Sequence, residues 1–231
     1  MVRLVAFIVL AMILSRVLGV LPIIGPFFAH TGIFGVWVTA IGLSLAATSY
    51  GERALRSRRD RAELRRLETV DNAHNHGKAG ALLLARGDAR KALPHLLRAA
   101  AGEPRVAEWQ FRLGMALLAL RRPAEARTAL ARCTELDPEY AYGGAQLRLA
   151  EALTAVGQPE DALPVLDVAE HNHGPSPELA YRRGLALKAA GRRSEAKASF
   201  AEVSRLAAQA PAFQRGSARA FAVRARLAGL F

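Results

Sequence analysis

The feature of this sequence that most constrains its fold is a set of small residues that returns at an almost fixed interval. Equivalent positions are separated by 34, 36 and 34 residues in three parallel series. The series are Ala92, Ala126, Ala162 and Ala196; Gly80, Gly114, Ala150 and Gly184; and Gly87, Arg121, Gly157 and Gly191. A period of this length predicts stacked helix pairs, and therefore an all-α solenoid over residues 73–210.

Composition agrees with helices and indicates an anionic partner. Ala, Leu and Arg dominate residues 52–231, and these are good helix formers. The formal net charge is +12, from 32 basic and 20 acidic residues. Such an excess suggests contact with an acidic protein, anionic lipid or nucleic acid. The single cysteine, Cys133, excludes an intramolecular disulfide and falls in a slot for a small core residue.

Within each period, the order of residues is that of a two-helix unit. In the second unit, Leu113 and Gly114 lie in the first helix, Ala126 and Leu130 in the second, and Pro138 follows. The pattern resembles the tetratricopeptide repeat. The units run approximately over 73–106, 107–140, 143–176 and 177–210, with a two-residue insertion at Tyr140 to Gly143. The resemblance implies four helix pairs whose first helices line a concave, peptide-binding groove.

The ends of the helices are also marked in the sequence. Glycine at the turn of units one, three and four permits the left-handed conformation that ends a first helix, whereas Arg121 occupies this position in unit two. Pro123 and Pro159 suit the first turn of a second helix. Residues 211–231 carry apolar side chains at helical spacing and are predicted to form a capping helix over the last repeat. Binding of this basic segment to a membrane surface is the alternative.

The first 51 residues have a different character. Two apolar stretches, Val2 to Val20 and Ile33 to Ser49, are each long enough to cross a hydrocarbon layer of about 30 Å, and a Pro/Gly-rich turn separates them. They predict a transmembrane helical hairpin over residues 1–51. A cleaved signal peptide is the alternative for the first stretch, although no Ala-x-Ala site follows it. Arg16 lies near the end of that stretch, where its side chain can reach the interface.

An arginine-rich segment, residues 52–72, follows the hairpin and is predicted to be a helical linker. By the positive-inside rule, its arginines place both termini on the cytoplasmic side, as in a bacterial inner membrane. The same residues suit contact with anionic lipid headgroups; alternatively, they only set topology and solvate a stalk. The seven arginines are Arg53, Arg56, Arg58, Arg59, Arg61, Arg65 and Arg66.

The resemblance further implies which side chains face a ligand. The sixth position of each first helix holds a cation, and apolar side chains lie nearby, which suits an acidic peptide with apolar anchors. Alternatively, the cations form an ordinary solvated face whose charge is diluted by Glu108, Glu151 and Glu178. The candidate groove residues are Lys78, Arg112, Arg148, Arg182, Phe111, Met115, Tyr181 and Leu185.

No catalytic constellation is recognisable: the sequence has no phosphate-binding glycine loop, cysteine pair or Gly-x-Ser-x-Gly motif. We therefore expect no enzymatic activity and no cofactor. The tetrapeptide His-Asn-His-Gly occurs at 74–77 and 171–174. Its copies fall at different phases of the repeat, so they are interpreted as polar helix ends and not as metal ligands.

Together these features predict a membrane-anchored adaptor that binds or assembles partner proteins at the cytoplasmic face of a bacterial inner membrane. One alternative is an accessory subunit of a transporter or of an envelope or lipid-biogenesis complex, held mainly through the hairpin. Another is nucleic-acid binding through the basic linker, against which the lack of interleaved aromatic residues counts.

Overall fold

The computed structural model describes residues 41–42, 44–46 and 58–229. The chain divides into two compact units, Met1–Arg65 and Arg66–Phe231. In the first unit, residues 41–42, 44–46 and 58–65 are helical. The rest of the predicted hairpin lies outside the described residues. Within the described part of the chain, no helix combines the length and apolar character needed to cross a bilayer.

The second unit is helical throughout its described residues apart from short turns, and the predicted all-α solenoid is confirmed. Helical residues 66–68 complete the segment that begins at 58. Residues 73–229 then form α1 (Ala73–Ala85), α2 (Ala89–Gly102), α3 (Ala107–Ala119), α4 (Pro123–Leu136), α5 (Gly144–Ala155), α6 (Pro159–His173), α7 (Pro177–Ala189), α8 (Arg193–Gln209) and α9 (Arg215–Gly229).

Consecutive helices pack in pairs, and the pairs stack in order. The first helices of neighbouring pairs contact one another, α1 with α3, α3 with α5 and α5 with α7. Among helices α1–α8, no two second helices make such contacts. The first helices therefore form the inner layer of the array, and the second helices form the outer layer. The last helix, α9, packs against both α7 and α8.

The small residues of the period lie where the two helices of a pair cross. A Cβ atom added at Gly80 would lie 2.6 Å from Leu96 Cγ, and one added at Gly114 would lie 2.4 Å from Leu130 Cγ. Both leucine side chains are fully buried. The helices can approach closely only because these glycines have no side chain, which is the physical reason for the 34-residue pattern.

The turns between paired helices use the left-handed conformation. Gly87, Gly157 and Gly191 have φ angles of 79°, 82° and 79°. Arg121, at the equivalent place in the second pair, has a φ of 58°. The repeats thus share the backbone geometry of the turn, even where the residue is one that adopts this conformation at a cost.

The two-residue insertion forms an unusual turn between α4 and α5. Ala141, Tyr142 and Gly143 are three successive residues with positive φ angles, of 56°, 51° and 78°. The Tyr142 side chain projects from this turn, and the residue is 90% exposed.

Candidate peptide-binding groove

The predicted cations lie on the inner helices but in two different environments. Lys78 on α1 is exposed, and it makes no ion pair with any part of the chain that the structure describes. Arg112 on α3 donates from Nε to Glu108 Oε1 at 2.8 Å, one helical turn earlier. The Arg112 side chain remains about one third exposed (34%). Both cations are therefore within reach of a ligand.

The other two arginines belong to a closed arrangement of charges between α5 and α7. Arg148 lies 3.0 Å from Glu151 on its own helix and 2.9 Å from Glu178 on the next inner helix. Arg182 lies 2.8 Å from Glu151 and 2.7 Å from Glu178. We call these four residues the four-charge ring.

The ring has no net formal charge, since it holds two guanidinium groups and two carboxylates, and each guanidinium contacts both carboxylates. The Arg182 side chain is only 8% exposed, so much of its charge is held away from water. A buried charge is tolerated where it is paired, and here it has two partners. Within the described residues, the inner layer thus carries a cation with no ion pair on α1, an arginine with one carboxylate partner on α3, and two arginines with two carboxylate partners each on α5 and α7.

Apolar side chains accompany the accessible cations. Phe111 packs against Tyr140, with ring centroids 5.1 Å apart. Burial and the nearby Glu108 carboxylate raise the pKa of the Tyr140 hydroxyl, so it stays protonated and available as a donor. Met115, one turn after Phe111, is half-buried. Tyr140 was not among the sequence candidates because it lies in the turn after α4 and not in a first helix.

Tyr181 and Leu185 occupy a different place from the other groove candidates. Both pack against the terminal hydrophobic cluster that contains Phe200 and Ala225. The Tyr181 ring lies 5.8 Å from that of Phe221 on α9. These two candidates therefore join the last repeat to α9, at the far end of the array from Lys78.

The first junction between repeats is built on an aromatic side chain. Trp109 of α3 is 3% exposed, and a Cβ atom added at Gly77 of α1 would lie 2.6 Å from its ring. Its Nε1 donates to Glu103 Oε2 at 2.6 Å, and the His74 ring makes a T-shaped contact with the indole, with ring centroids 5.7 Å apart. A tryptophan that fills the space above a glycine fixes how α1 and α3 meet.

A histidine pair lies at the N-terminal end of the solenoid. The Nδ1 atoms of His76 on α1 and His95 on α2 are 3.0 Å apart. His76 Nε2 lies 2.6 Å from an Asp71 carboxylate oxygen, which lowers the pKa of that carboxyl group. Partial burial and the neighbouring His76 lower the pKa of His95. Asp71 thus pairs with His76, while Asn72 caps α1 by accepting from Asn75 N at 2.7 Å.

The two His-Asn-His-Gly segments have different structural roles. In the second copy, His173 Nε2 lies 3.2 Å from Glu139, and Asn172 Nδ2 donates to the same carboxylate at 3.0 Å. These contacts hold the end of α6 against the turn after α4. Among the residues that the structure describes, no group of three or more His, Cys, Asp or Glu side chains is placed to hold a metal ion.

The remaining predicted positions are distinguished by exposure. Cys133 is fully buried, and burial raises the pKa of its thiol to about 11, so it is a packing residue with little thiolate character.

The linker arginines within the helical segment 58–68 are exposed. Arg53 and Arg56 lie outside the described residues. The exposed linker arginines are Arg58, Arg59, Arg61, Arg65 and Arg66.

With this geometry in place, the class of fold is clear: residues 73–229 form an all-α solenoid of stacked helix pairs. Residues 83–144 match the family model of the tetratricopeptide repeat. The fold is similar to MamA from Desulfovibrio magneticus RS-1, with 20% identity, a TM-score of 0.51, and coverage of 68% of this chain and 94% of that one.

Two further solved structures share the fold. TTC0263 from Thermus thermophilus is 21% identical with a TM-score of 0.52, and the match covers 84% of this chain and 96% of that one. YrrB, described as a tetratricopeptide protein with an unusual peptide-binding site, is 20% identical with a TM-score of 0.52, covering 71% of this chain and 81% of that one. No curated protein matches the chain significantly.

Proposed function

We propose that this protein is a non-enzymatic scaffold that holds a segment of a partner protein against its inner helices, and that the N-terminal hairpin anchors it at the cytoplasmic face of a bacterial inner membrane. The observation that supports this most directly is the pairing of accessible cations with half-buried apolar side chains on α1 and α3. Arg112 and Lys78 supply the charge, and Phe111 and Met115 supply the apolar contacts.

The chemistry of the inner layer indicates the kind of segment it would bind. A carboxylate suits Arg112, because a guanidinium can bind it in a bidentate geometry in exchange for Glu108. An apolar anchor suits the half-buried surface around Phe111 and Met115. Arg148 and Arg182 already have carboxylate partners, so a ligand gains less from them. We therefore place the acidic end of the bound segment towards α1 and α3.

The membrane part of the proposal rests on the sequence. Two apolar stretches within residues 1–51 are long enough to span a bilayer, and seven arginines follow them within residues 52–66. Five of these arginines are exposed on the helical segment 58–68, where anionic headgroups could reach them.

The test is cross-linking of the full-length protein in its native membrane, with identification of the captured partners by mass spectrometry. The informative variant combines Lys78→Glu with Arg112→Glu, which leaves the four-charge ring intact. The matched control combines Arg90→Glu with Arg105→Glu, which makes the same change of charge at exposed positions outside the inner layer. We expect a partner that is retained by the control and lost from the groove variant.

Retention of the same partners by both variants would contradict groove binding. In that case the small residues Gly35, Ala40 and Gly42 of the second apolar stretch favour the second candidate, an accessory subunit held through its hairpin. That candidate predicts a stoichiometric membrane partner which is lost when residues 1–51 are replaced by an unrelated hairpin. The anchor itself is tested by fractionation: deletion of residues 1–51 is expected to release the protein from the membrane.

A further inference from the structure

The last helix, α9, has two apolar faces. Its inner face is formed by Ala218 and Ala225, which are 3% and 0% exposed and pack on α7 and α8. On the opposite side, Val223 and Leu227 are each 56% exposed. A helix on the surface of a domain is expected to be polar on the side away from the core. Val223 and Leu227 depart from that pattern, so the outer side of α9 requires an explanation.

The outer apolar residues lie on one narrow line along α9. Gly216, Ala220, Val223 and Leu227 are spaced by four, three and four residues, and all are exposed. At about 100° per residue they fall within roughly 60° of one another around the helix axis. Alternating spacings of three and four are those of a seam that packs against another helix. Small residues at one end of the seam permit a close approach.

Arginines flank this seam on both sides. Arg215, Arg219 and Arg226 lie along one side, and Arg224 lies on the other, with its guanidinium 5.5 Å from the centre of the Phe221 ring. Residues 211–231 contain four arginines and no acidic residue. Within the described part of the chain, Arg219 and Arg226 make no ion pair, and Arg215 donates to the Ala210 carbonyl at 3.4 Å.

The arginines on the first side also border a cleft between α8 and α9. It has a volume of about 340 Å³, and its lining includes Ser204, Arg215, Arg219 and Arg226. A carboxylate side chain entering this cleft would meet three guanidinium groups and a hydroxyl. The surface therefore combines an apolar seam with an unneutralised cationic border.

We propose that the outer face of α9 is a second protein-binding surface, which docks an amphipathic helix that has apolar residues on its seam and acidic residues at its flanks. The docked helix would continue the stack beyond α9. The narrow seam and its small residues favour a helix over a lipid surface, since helices that lie in a bilayer interface carry a broader face with bulky side chains. This surface is separate from the groove on α1 and α3, and its existence does not depend on the proposed groove function.

The test measures the binding of two fluorescent three-heptad peptides to the full-length protein in nanodiscs. Both peptides have leucine at a and d; one has glutamate at e and g, and the other has lysine there. We expect the glutamate peptide to bind at least about tenfold more tightly, because its flanks complement the arginines. Val223→Asp should weaken that binding by about tenfold or more. Arg219→Glu combined with Arg226→Glu should reverse the preference between the peptides.

Two controls separate this surface from the groove and from a loss of folding. The variants carrying Lys78→Glu with Arg112→Glu, or Arg90→Glu with Arg105→Glu, should bind the glutamate peptide as the parent does. All substituted side chains on α9 are exposed, so circular dichroism and the unfolding midpoint should be unchanged.

Three kinds of outcome would overturn the proposal. The first is the wrong pattern of peptide binding: equal binding of both peptides, or loss of binding in the groove variant and not in the α9 variants. The second is binding of the nanodisc-held protein to phosphatidylglycerol vesicles that Val223→Asp abolishes, with no peptide binding, which would identify a lipid surface. The third is concentration-dependent self-association that Val223→Asp abolishes, with no peptide binding, which would identify a second copy of this chain as the occupant.

Discussion

The guanidinium of Arg182 lies 2.8 Å from a carboxylate oxygen of Glu151, a residue of the preceding repeat, while Arg148 reaches in the opposite direction to Glu178 at 2.9 Å. Each of the two inner helices, α5 and α7, thus pairs an arginine with a glutamate of the other helix. An ion pair of this kind depends on the angle and spacing between the helices, and so it helps to fix how the third and fourth repeats stack.

Substitution of Glu151 by Gln should therefore weaken the solenoid. It removes a carboxylate from both arginines of the ring and leaves the buried Arg182 with one charged partner. We expect a loss of about 1–2 kcal/mol in the free energy of unfolding, less than for a fully buried pair because Glu151 is 39% exposed. The control is Glu125→Gln, which disturbs an exposed pair with Arg122 and should cost at most about 0.5 kcal/mol. Equal effects in urea denaturation would count against a special role for the ring.

The turn at Arg121 offers a gain in stability. Its φ of 58° costs about 1 kcal/mol for a residue with a side chain, whereas glycine adopts this angle without strain. Arg121→Gly should raise the thermal unfolding midpoint, partly offset by the greater flexibility of glycine in the unfolded chain. The reciprocal change, Gly157→Arg, has free space around it but a φ of 82°, so it should lower the midpoint. A midpoint that is unmoved or lowered by Arg121→Gly would contradict this account.

The crossing glycines should be intolerant of even one added methyl group. Gly114→Ala places a Cβ atom 2.4 Å from the buried Leu130 side chain, and we expect overpacking to cost about 1–3 kcal/mol despite the better helix propensity of alanine. Gly216→Ala on α9 meets no atom within 4 Å and should be neutral or slightly stabilising. The two variants can be compared by calorimetry under identical conditions; similar midpoints would rule out close packing as the reason for the glycine.

Stability should fall as the pH drops below about 7, and His95 should carry part of the effect. Its pKa in the folded protein is below the ordinary value of 6.5, because of partial burial and the facing His76 and Arg98, which outweigh the opposing influence of Glu68. The unfolded chain therefore takes up a proton near pH 6.5 that the folded chain resists. His95→Gln should reduce the loss of stability between about pH 7.5 and 5.5, measured by urea denaturation. An unchanged loss of stability in His95→Gln over this pH range would contradict this account.

The sequence was sufficient to predict the repeat, because its signals are local. The spacing of Gly80 and Gly114 reflects a contact between two helices joined by a short turn, and such contacts recur in every unit. Turn glycines and helix-starting prolines are local signals for the same reason. The 34-residue period therefore predicted the order of the helices, which helices form pairs and where the turns lie.

The candidate site was less predictable, because it depends on contacts between repeats. The sequence offered Glu151 and Glu178 as residues that dilute the charge of the groove arginines, but only the stacking of α5 on α7 joins the two same-helix pairs into one ring. Tyr181 likewise meets the periodic criterion for the groove, but α9 packs beside it. Side-chain partners across a repeat junction require the relative orientation of helices, which a repeating pattern does not specify.

The contrast between the two ends of the solenoid has a mechanical consequence. Each repeat of such an array contacts only its neighbours, so the contacts at each repeat junction set the angle between the two repeats. At the junction of α1 and α3, the Trp109 ring packs over Gly77, an apolar contact that salt does not screen. The contact between α5 and α7 includes two ion pairs, Arg148–Glu178 and Arg182–Glu151, which weaken as ionic strength rises, although less than exposed pairs do. Higher salt is therefore expected to change the angle between α5 and α7 more than the angle between α1 and α3.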